Sequence, residues 1–295
     1  MPGAEQNAKI ALDEQVPLIN VSLGKPDWIA DAAHAYGGKV LCTVVNAKHA
    51  GKAVESGADA LMVTGHEAAA HGGDVTSLVL IPAIAARFPE VPIVAAGGFA
   101  NGRGLSAALA LGADAVAMGS RFATTVESPL ALNTKRTIAN PALDGGATET
   151  DTIYSSNFDG IPARVLKFPA AIQANKRRTP FPVVFYRAFE AARGMNIPLW
   201  KVIPGLLTQF DKMYAVAQFG AATEAIQAAT VEGELDDKGV QFVGQCQGLI
   251  YDIPSVDELV QRIIEEASVV THENAARFAS DQSNSDVVHD ARYGN

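Results

Sequence analysis

The stretch that decides the fold is Ile93-Val-Ala-Ala-Gly-Gly-Phe-Ala-Asn-Gly-Arg-Gly-Leu105, in which a short apolar run ends in two glycines before an Ala-rich segment. A second apolar run, residues 115–118, also ends in a glycine, Gly119, which precedes Ser120. Glycine lets the backbone approach an anion closely, and consecutive N–H groups at the start of a helix point toward it. Two neighbouring strand ends of this kind predict a cup for a phosphate group.

The alternation of strand and helix patterns extends back from this stretch to residue 16. Short β-branched or apolar runs alternate with segments that carry apolar residues at three- and four-residue spacing, which is typical of βαβ units in a parallel sheet. The predicted strands are residues 17–21, 40–45, 60–64, 93–96 and 115–118, and the predicted helices are 28–36, 47–56, 78–87 and 104–111. Gly-Ala-Asp-Ala occurs twice, at residues 57–60 and 112–115, and indicates an architectural repeat in which glycine ends a helix and aspartate bonds the following turn.

The strand signal fades after residue 125. Residues 140–152 are polar and Gly-rich, residues 158–169 are predicted to be irregular, and further helices are predicted at 180–195, 199–210, 213–231 and 257–270. Three parts are therefore expected: residues 1–125 as a partial barrel, residues 126–270 as a mainly helical substrate or cap subdomain, and residues 271–295 as a polar, frayed C-terminal tail.

Charge and composition exclude several classes of protein. The chain has 295 residues with 32 acidic and 23 basic side chains, and its net charge of −9 opposes binding to nucleic acid or to an anionic membrane. Cys42 and Cys246 are too few for a disulfide framework and have no zinc-like spacing, which fits a reducing cytoplasm. The longest apolar run, residues 78–86, is about half the length that spans a bilayer. These features predict a cytoplasmic protein that binds neither nucleic acid nor a membrane.

A second candidate site is Val63-Thr-Gly-His-Glu-Ala-Ala-Ala-His-Gly-Gly-Asp74, which follows a predicted strand and so lies on the same face as the glycines. Histidine titrates near neutrality and can act as a base or a hydrogen-bond donor. His66 and His71 do not have the i, i+4 spacing of zinc proteases, and no third ligand is evident, so no metal is predicted. His66 can serve either packing or catalysis, whereas a functional role is favoured for His71. Arg121 can add charge to the phosphate cup or can be a buried arginine paired with a carboxylate.

Three segments together resemble the nitronate monooxygenase family, formerly called 2-nitropropane dioxygenases. They are Gly65-His-Glu-Ala-Ala-Ala-His71, Ala95-Ala-Gly-Gly-Phe-Ala-Asn-Gly-Arg-Gly104 and Met118-Gly-Ser-Arg-Phe122. Flavin-dependent enoyl reductases and quinone reductases are similar. Residues 243–250 also resemble the closing segment of the family, at which the chain returns to the barrel. The resemblance implies an FMN-binding (β/α)₈ TIM barrel with a helical substrate domain.

The resemblance also implies roles for individual residues. His71 would stand near the flavin as base or hydrogen-bond donor. The implied cofactor-binding residues are Thr43, Glu67, Ala68, Gly97, Gly98, Gly119 and Ser120. Two departures stand out: Ala69 and Ala70 replace two glycines of the family and narrow the space beside the ring, and residues 16–24 correspond to the fourth barrel strand. The first three βα units are therefore expected to be truncated, to come from elsewhere, or to be replaced by the helical half.

The activity implied by the resemblance is FMN-dependent oxidation of alkyl nitronates or nitroalkanes by O₂ to a carbonyl compound and nitrite. One alternative is an FMN-dependent NAD(P)H reductase of a quinone or an enoyl thioester. Another is an incomplete flavin- or phosphate-binding fragment that is inactive or needs a partner. An incomplete barrel also has a physical reason to form a homo-oligomer. Aromatic residues that can line the pocket or pack the core are Phe181, Phe185, Tyr186, Trp200, Phe210 and Tyr214.

Overall fold

A computed structural model describes residues 4–22, 27–69, 71–139, 147–158, 161–176, 182–183, 186 and 224–282. At its centre is a five-stranded parallel sheet in the order β1–β2–β3–β4–β5. The strands are β1 (Leu18–Val21), β2 (Lys39–Val44), β3 (Ala60–Thr64), β4 (Ile93–Ala96) and β5 (Ala115–Ala117). All five predicted strands are confirmed to within one residue at each end.

Helices cover one face of this sheet. They are α1 (Ala4–Asp13), α2 (Asp27–His34), α3 (Ala47–Glu55), α4 (Ser77–Arg87) and α5 (Gly102–Ala110). The predicted helices 28–36, 47–56, 78–87 and 104–111 are confirmed to within two residues. Because side chains alternate along a strand, every second residue points toward these helices. The buried strand residues of this core are Val40, Cys42, Val44, Leu61, Val63, Ile93 and Ala95.

The opposite face of the sheet is less well covered. Thr43 and Met62 are register partners on this face, and both are partly exposed. Leu18 on β1 is 54% exposed. Within the described ranges the sheet ends at β1 on one side and at β5 on the other, so these residues form an open α/β sheet.

The Gly-Ala-Asp-Ala repeat has an architectural role. Gly57 and Gly112 have φ values of +89° and +94°, the left-handed conformation expected of a glycine that ends a helix. Asp59 Oδ2 accepts a 2.8 Å hydrogen bond from the Val40 amide, and Asp114 Oδ2 accepts a 2.8 Å bond from the Ile93 amide. The aspartates therefore bond the start of the neighbouring strand and not the following turn, because parallel strands bring each loop beside the start of the preceding strand.

The strand signal in the sequence fades after residue 125, yet the structure has two further strands there, and the prediction of irregular structure over residues 158–169 is wrong for four of these residues. Strands β6 (Thr152–Ser155) and β7 (Ala163–Leu166) form an antiparallel hairpin, and β7 lies within the segment predicted to be irregular. Four consecutive residues of β7 are buried, so the strand lacks the alternation that marks a half-exposed strand, and a charged residue, Arg164, interrupts its apolar run. The region predicted as mainly helical thus contains a small sheet.

Further helical elements occur between β5 and the last described helix. They are α6 (Ser120–Ala123), α7 (Leu132–Ile138), α8 (Pro169–Lys176), a π-helical turn (Ala228–Glu232) and a 3₁₀ helix (Gln245–Leu249). The helices predicted at residues 180–195, 199–210 and 213–231 lie wholly or mostly outside the described residues. So do Phe181, Phe185, Trp200, Phe210 and Tyr214, whereas Tyr186 is described and is 63% exposed.

The last described element is α9 (Val256–Gln282), a 27-residue helix that packs against α5. Ser255 Oγ accepts a hydrogen bond from the Glu258 amide and so caps the start of this helix. The expectation of a frayed tail from residue 271 is wrong as far as residue 282. No glycine or proline occurs between Ser255 and Gly294, so nothing stops the helix at residue 270. Among the described helices, none has the length and apolar character needed to span a membrane.

Candidate active site

The loops that follow β3, β4 and β5 meet at one edge of the sheet. The Gly65 amide donates a 3.0 Å hydrogen bond to the Ala96 carbonyl oxygen, which joins the loop after β3 to the end of β4. A Cβ atom added at Gly97 would lie 3.1 Å from the Ala68 Cβ, and one added at Gly98 would lie 3.4 Å from the Glu67 Cβ. The structure therefore brings together four of the residues implied by the resemblance, and the glycines permit this close approach.

Four backbone amides at this edge have no hydrogen-bond acceptor among the described residues. They belong to Gly97 and Gly98 after β4 and to Gly119 and Ser120 after β5. Gly97 and Gly98 have φ values of +93° and +89°, a conformation that few other residues adopt. A Cβ atom at Gly119 would meet nothing within 4 Å. We call these four N–H groups the glycine cradle; unpaired donors at such a place suit an anion.

The N-terminus of α5 does not belong to this cradle. The Gly102 amide donates a 2.7 Å hydrogen bond to Glu266 Oε2 of α9, and Asn101 Oδ1 accepts from the Gly104 amide. The glycine pattern in the sequence predicts that a helix start also faces the phosphate. A carboxylate of the chain itself occupies that position instead, because α9 packs directly on α5.

The segment 243–250 contacts the loops at the sheet edge. The Gly244 amide donates to Ser120 Oγ at 2.9 Å, and the Gln245 amide donates to the Glu67 carbonyl oxygen at 2.9 Å. Gly244 packs so tightly here that a Cβ atom would lie 2.9 Å from the same carbonyl oxygen. The Ser120 hydroxyl oxygen thus holds this segment, while its backbone amide remains unpaired.

A cavity of about 290 Å³ lies between this segment and the loops after β3 and β4. Its lining residues are Glu67, Gly98, Glu149, Gln245, Cys246, Gly248 and Leu249. Glu67 and Gly98 were expected at the site, whereas Glu149, Gln245 and Cys246 were not assigned to it. Gln245 and Cys246 lie within the closing segment 243–250, so the resemblance could have pointed to them. Glu149 lies in a polar loop with no pattern that points to a site.

The side chain of Glu67 has a structural role. Its carboxylate accepts hydrogen bonds from the Ser77 amide at 2.9 and 3.1 Å and from Ser77 Oγ at 3.0 Å. This arrangement caps the start of α4, where a carboxylate is favoured by the unpaired amides and the helix dipole. Among the described residues, no group of three or more His, Cys, Asp or Glu side chains could hold a metal ion.

The two histidines of the loop after β3 lie in different environments. His66 Nδ1 donates to the Gly73 carbonyl oxygen at 2.8 Å, and its ring packs edge-on against Tyr154 with centroids 4.7 Å apart. Of the two roles considered for His66, packing and catalysis, the structure therefore supports packing. The partly buried His71 ring lies 6.3 Å from that of Phe242, a residue that pairs with β7.

Thr43 lies farther along the same edge, on the face of the sheet opposite the helices. Its Oγ1 donates to Asn20 Oδ1 at 3.2 Å and lies 3.9 Å from Met62 Sδ. It is thus two strands away from the nearer strand of the glycine cradle, and its side chain contacts Asn20 of β1 and Met62 of β3.

Of the two roles considered for Arg121, a charge beside the phosphate and a buried structural arginine, the structure supports the second. It is 3% exposed, and its Nη2 lies 2.7 Å from Asp252 Oδ1 while Nη1 donates to the Asp252 carbonyl oxygen at 3.1 Å. Arg262 of α9 lies 2.7 Å from the other oxygen of the same carboxylate. Arg121 therefore anchors the chain between the closing segment and α9.

Cys246 lines the cavity but is not activated. Burial raises the pKa of its thiol, and the hydrogen bond from Ser120 and the nearby Arg121 charge oppose this only in part. Because the thiolate is the nucleophilic form, a raised pKa keeps Cys246 unreactive near neutral pH. It contributes a small, polarisable wall to the cavity.

Comparisons with known proteins agree with this geometry. The nitronate monooxygenase family matches residues 3–266. The chain is 31% identical, over 91% of its length and 76% of the relative, to (3aS,4S,5R,7aS)-5-hydroxy-7a-methyl-1-oxo-octahydro-1H-indene-4-carboxyl-CoA dehydrogenase of Mycobacterium tuberculosis. It is 28% identical to the nitronate monooxygenase of Pseudomonas aeruginosa, covering 86% of this chain and 64% of that protein.

Two solved structures show the same fold. FabK from Thermotoga maritima superposes with a TM-score of 0.72 at 30% identity and covers 94% of this chain and 76% of its own. The nitroalkane oxidase of Streptomyces ansochromogenes superposes with a TM-score of 0.70 at 20% identity, covering 92% of this chain and 70% of its own. Together with the glycine cradle and the closing segment, these matches show that the chain is an oxidoreductase of the nitronate monooxygenase family with an α/β fold built on a parallel sheet.

Proposed function

We propose that this protein is an FMN-dependent nitronate monooxygenase, which oxidises an alkyl nitronate or nitroalkane with O₂ to a carbonyl compound and nitrite. The glycine cradle, in a member of this family, is the observation that supports the proposal most. A phosphate monoester presents several acceptor oxygens and a negative charge, and Gly97, Gly98, Gly119 and Ser120 offer unpaired N–H donors on two adjacent strand ends. The donor set therefore fits the phosphate of FMN.

In this proposal the protein binds, orients and moves a proton, while FMN, when bound, supplies the electron-accepting chemistry. The loop backbone at Glu67 and Ala68 would line the flavin site, and Thr43 would contribute a more distant wall. His71 takes a proton from the carbon next to the nitro group of a neutral nitroalkane, or holds a nitro oxygen of a nitronate. Ala69 replaces a glycine of the family pattern and limits the width of substrate that can reach His71.

The cofactor part of the proposal is tested by titrating the purified protein with FMN. We expect stoichiometric binding, and we expect Gly119→Ala to weaken it at least about tenfold, because the new methyl group would enter the open space beside the cradle. The melting temperature of the flavin-free variant should not change. Gly51→Ala on α3 is the control, since its Cβ would meet only Phe88 Cζ at 3.8 Å.

Two outcomes of this titration would contradict the cofactor assignment. A protein that is colourless and cannot be reconstituted with FMN would favour the incomplete-fragment hypothesis, in which a partner supplies the rest of the barrel. An unchanged affinity in Gly119→Ala would remove the cradle as the phosphate site.

The substrate part is tested by nitrite release and oxygen uptake with a panel of alkyl nitronates and their parent nitroalkanes. General base catalysis contributes roughly 10²- to 10⁴-fold, so His71→Ala should lower the rate with the neutral nitroalkane by about that factor. The preformed nitronate needs no deprotonation and should be affected less. Unchanged activity in His71→Ala would refute its role, and an FMN-loaded protein that oxidises no nitronate would refute the substrate class.

A second candidate is an FMN-dependent oxidoreductase of a CoA thioester. Two relatives named for a carboxyl-CoA dehydrogenase, from Mycobacterium tuberculosis and Rhodococcus jostii, are 31% and 32% identical to the chain over about nine tenths of its length. A thioester carbonyl acidifies its neighbouring carbon, as a nitro group does, so His71 could serve either substrate. Anaerobic bleaching of the flavin absorbance by an acyl-CoA would favour this candidate, and bleaching by NAD(P)H would favour a reductase of a quinone or an enoyl thioester.

A further inference from the structure

We propose that the β6–β7 hairpin positions His71, and that Tyr154 and Arg164 are the residues through which it does so. The proposal rests on the proposed function insofar as His71 is the group that meets the substrate. The segment concerned, here called the histidine loop, consists of residues 66–69 and 71–73. It follows β3, whereas the hairpin lies some 80 to 100 residues later in the chain.

The hairpin makes hydrogen bonds to both ends of the histidine loop. Arg164 Nη2 donates to the His66 carbonyl oxygen at 2.9 Å, and the Tyr154 hydroxyl donates to the Gly72 carbonyl oxygen at 2.7 Å. Gly72 directly follows His71, so the bond from Tyr154 restrains the Gly72–Gly73 peptide, one residue beyond the proposed base. Two bonds from one rigid hairpin thus fix the path of the loop on either side of His71.

Ring contacts reinforce these two bonds. The His66 ring packs edge-on against Tyr154 and donates through Nδ1 to the Gly73 carbonyl oxygen, which closes the loop on itself. The Arg164 guanidinium lies 5.1 Å from the centroid of the Tyr154 ring, within the range of a cation–π contact. Tyr154 therefore has neighbours on its ring and at its hydroxyl, and its orientation is determined by both.

The burial of Arg164 supports a role beyond packing. It is 4% exposed, and its neighbours in β7 are buried apolar residues. The Glu67 charge acts on it, but no carboxylate in the described part of the chain lies within 4 Å of it. Among the described residues, its Nε has no hydrogen-bond partner. An apolar side chain would fill this position at a lower desolvation cost. Unlike an apolar side chain, the planar guanidinium of Arg164 donates hydrogen bonds to both the His66 carbonyl oxygen and Thr152 Oγ1, each at 2.9 Å.

The positioning role is tested with Tyr154→Phe, which keeps the ring and removes the hydroxyl group. We expect kcat/KM with a neutral nitroalkane to fall about threefold to tenfold, the equivalent of one lost neutral hydrogen bond. Amide hydrogen exchange should become faster in the histidine loop and stay unchanged in β1 to β5. FMN affinity should change much less than kcat/KM, because the four phosphate-binding amides of the cradle lie on the loops after β4 and β5 and do not bond Tyr154.

The chain offers a matched control in Tyr36→Phe. The Tyr36 hydroxyl also donates to a backbone carbonyl, that of Val16 at 2.9 Å, but at the amino end of β1. This variant should lose a similar amount of thermal stability without a change in activity or in exchange of the histidine loop. Equal effects of the two substitutions on activity would mean that Tyr154 acts only through global stability, and would overturn the proposal.

A double-mutant cycle with His71→Ala separates this inference from the proposed function. If Tyr154 acts through His71, Tyr154→Phe should cause no further loss of activity in the His71→Ala background. A full, independent loss there would overturn the inference. If His71→Ala impairs the enzyme and Tyr154→Phe leaves activity and loop exchange unchanged, the inference fails while the proposed function stands. If His71→Ala is fully active, the role of His71 fails, and with it the positioning of a base.

Arg164→Lys provides a second, independent variant. Lysine keeps the positive charge but cannot reach both His66 and Thr152 with a planar fork. We expect faster hydrogen exchange at the His66 end of the loop and a fall in kcat/KM of the same order as for Tyr154→Phe. An Arg164→Lys protein that is folded, binds FMN and has unchanged loop exchange would contradict the role of Arg164.

Discussion

At the scale of single residues, Asp59 shows how one carboxylate joins several parts of the sheet. Its Oδ1 lies 2.9 Å from Lys39 Nζ, and its Oδ2 lies 2.8 Å from His34 Nε2 and accepts from the Val40 amide at 2.8 Å. Burial acts to raise the pKa of Asp59, but the hydrogen bonds from Lys39, His34 and Val40 together lower it from 3.8 to about 2. The ionised form is therefore favoured by folding.

This pKa gives Asp59→Asn a pH-dependent effect. Because the pKa is lower in the folded chain than in the unfolded chain, the stabilisation is complete above about pH 4 and disappears as the pH falls toward 2. At pH 7 the substitution should lower the free energy of unfolding by roughly 2 kcal/mol, measured by urea denaturation. Asp114→Asn, at the equivalent position of the repeat, is the control and should cost less at pH 7. A deficit of Asp59→Asn that is the same at pH 2.5 and pH 7 would contradict this account.

At the scale of secondary-structure elements, the contact between α5 and α9 is unusually close. A Cβ atom at Gly102 would lie 2.5 Å from both the Ala267 amide nitrogen and the Ile263 carbonyl oxygen of α9. The Gly102 amide also donates to Glu266. Glycine at this position thus lets the start of α5 contact the backbone of α9. Leu259 and Ile263 of α9 are part of the core between the parallel sheet and its helices.

We predict that Gly102→Ala separates the two helices. The added methyl group meets backbone atoms, which cannot rotate away as a side chain can, so the free energy of unfolding should fall by about 1–3 kcal/mol. Limited proteolysis should then cut α9 earlier than in the unmodified protein. Gly51→Ala on α3 should leave stability equal or higher, since alanine is the better helix former and has room there. A Gly102→Ala protein as stable as Gly51→Ala would disprove the close contact.

At the scale of the whole molecule, the two cysteines lie in two different hydrophobic cores. Cys42 lies in the core between the sheet and its helices, and Cys246 lies in a second core formed by residues after position 99. Burial and the nearby Asp59 charge raise the pKa of Cys42 to about 11, and burial raises that of Cys246. Both thiols are therefore protected by the fold and by their protonation.

We expect neither cysteine to react with iodoacetamide in the folded protein at pH 8. In increasing urea, Cys42 and Cys246 should become reactive at the same concentration, because the bonds of Gly244 and Gln245 to Ser120 and Glu67 join the two cores. Mass spectrometry of the alkylated peptides measures both sites in one sample. Labelling of Cys246 at a clearly lower urea concentration would mean that the second core unfolds independently.

Features that depend on residues close together in the sequence could be predicted, whereas features that depend on distant residues could not. The parallel strands were located to within one residue, because alternating apolar patterns and helix periodicity are properties of neighbouring residues. The left-handed glycines Gly57, Gly97, Gly98 and Gly112 stand where turns were expected. In contrast, β7 was missed, because its four buried residues include Arg164, and a buried charge is recognisable only when its partners are known.

The amino-acid sequence by itself determined the order of the βα units, the glycine-rich strand ends and the family to which the chain belongs, since these depend on short segments and their spacing. Only the tertiary structure decided which groups are already paired. Arg121 bonds Asp252 across 131 positions, the Gly244 amide reaches Ser120 Oγ across 124, and Arg164 holds the His66 carbonyl oxygen across 98. Such pairs depend on the path of the whole chain, and among the described residues they leave the Gly97, Gly98, Gly119 and Ser120 amides without an acceptor at the sheet edge.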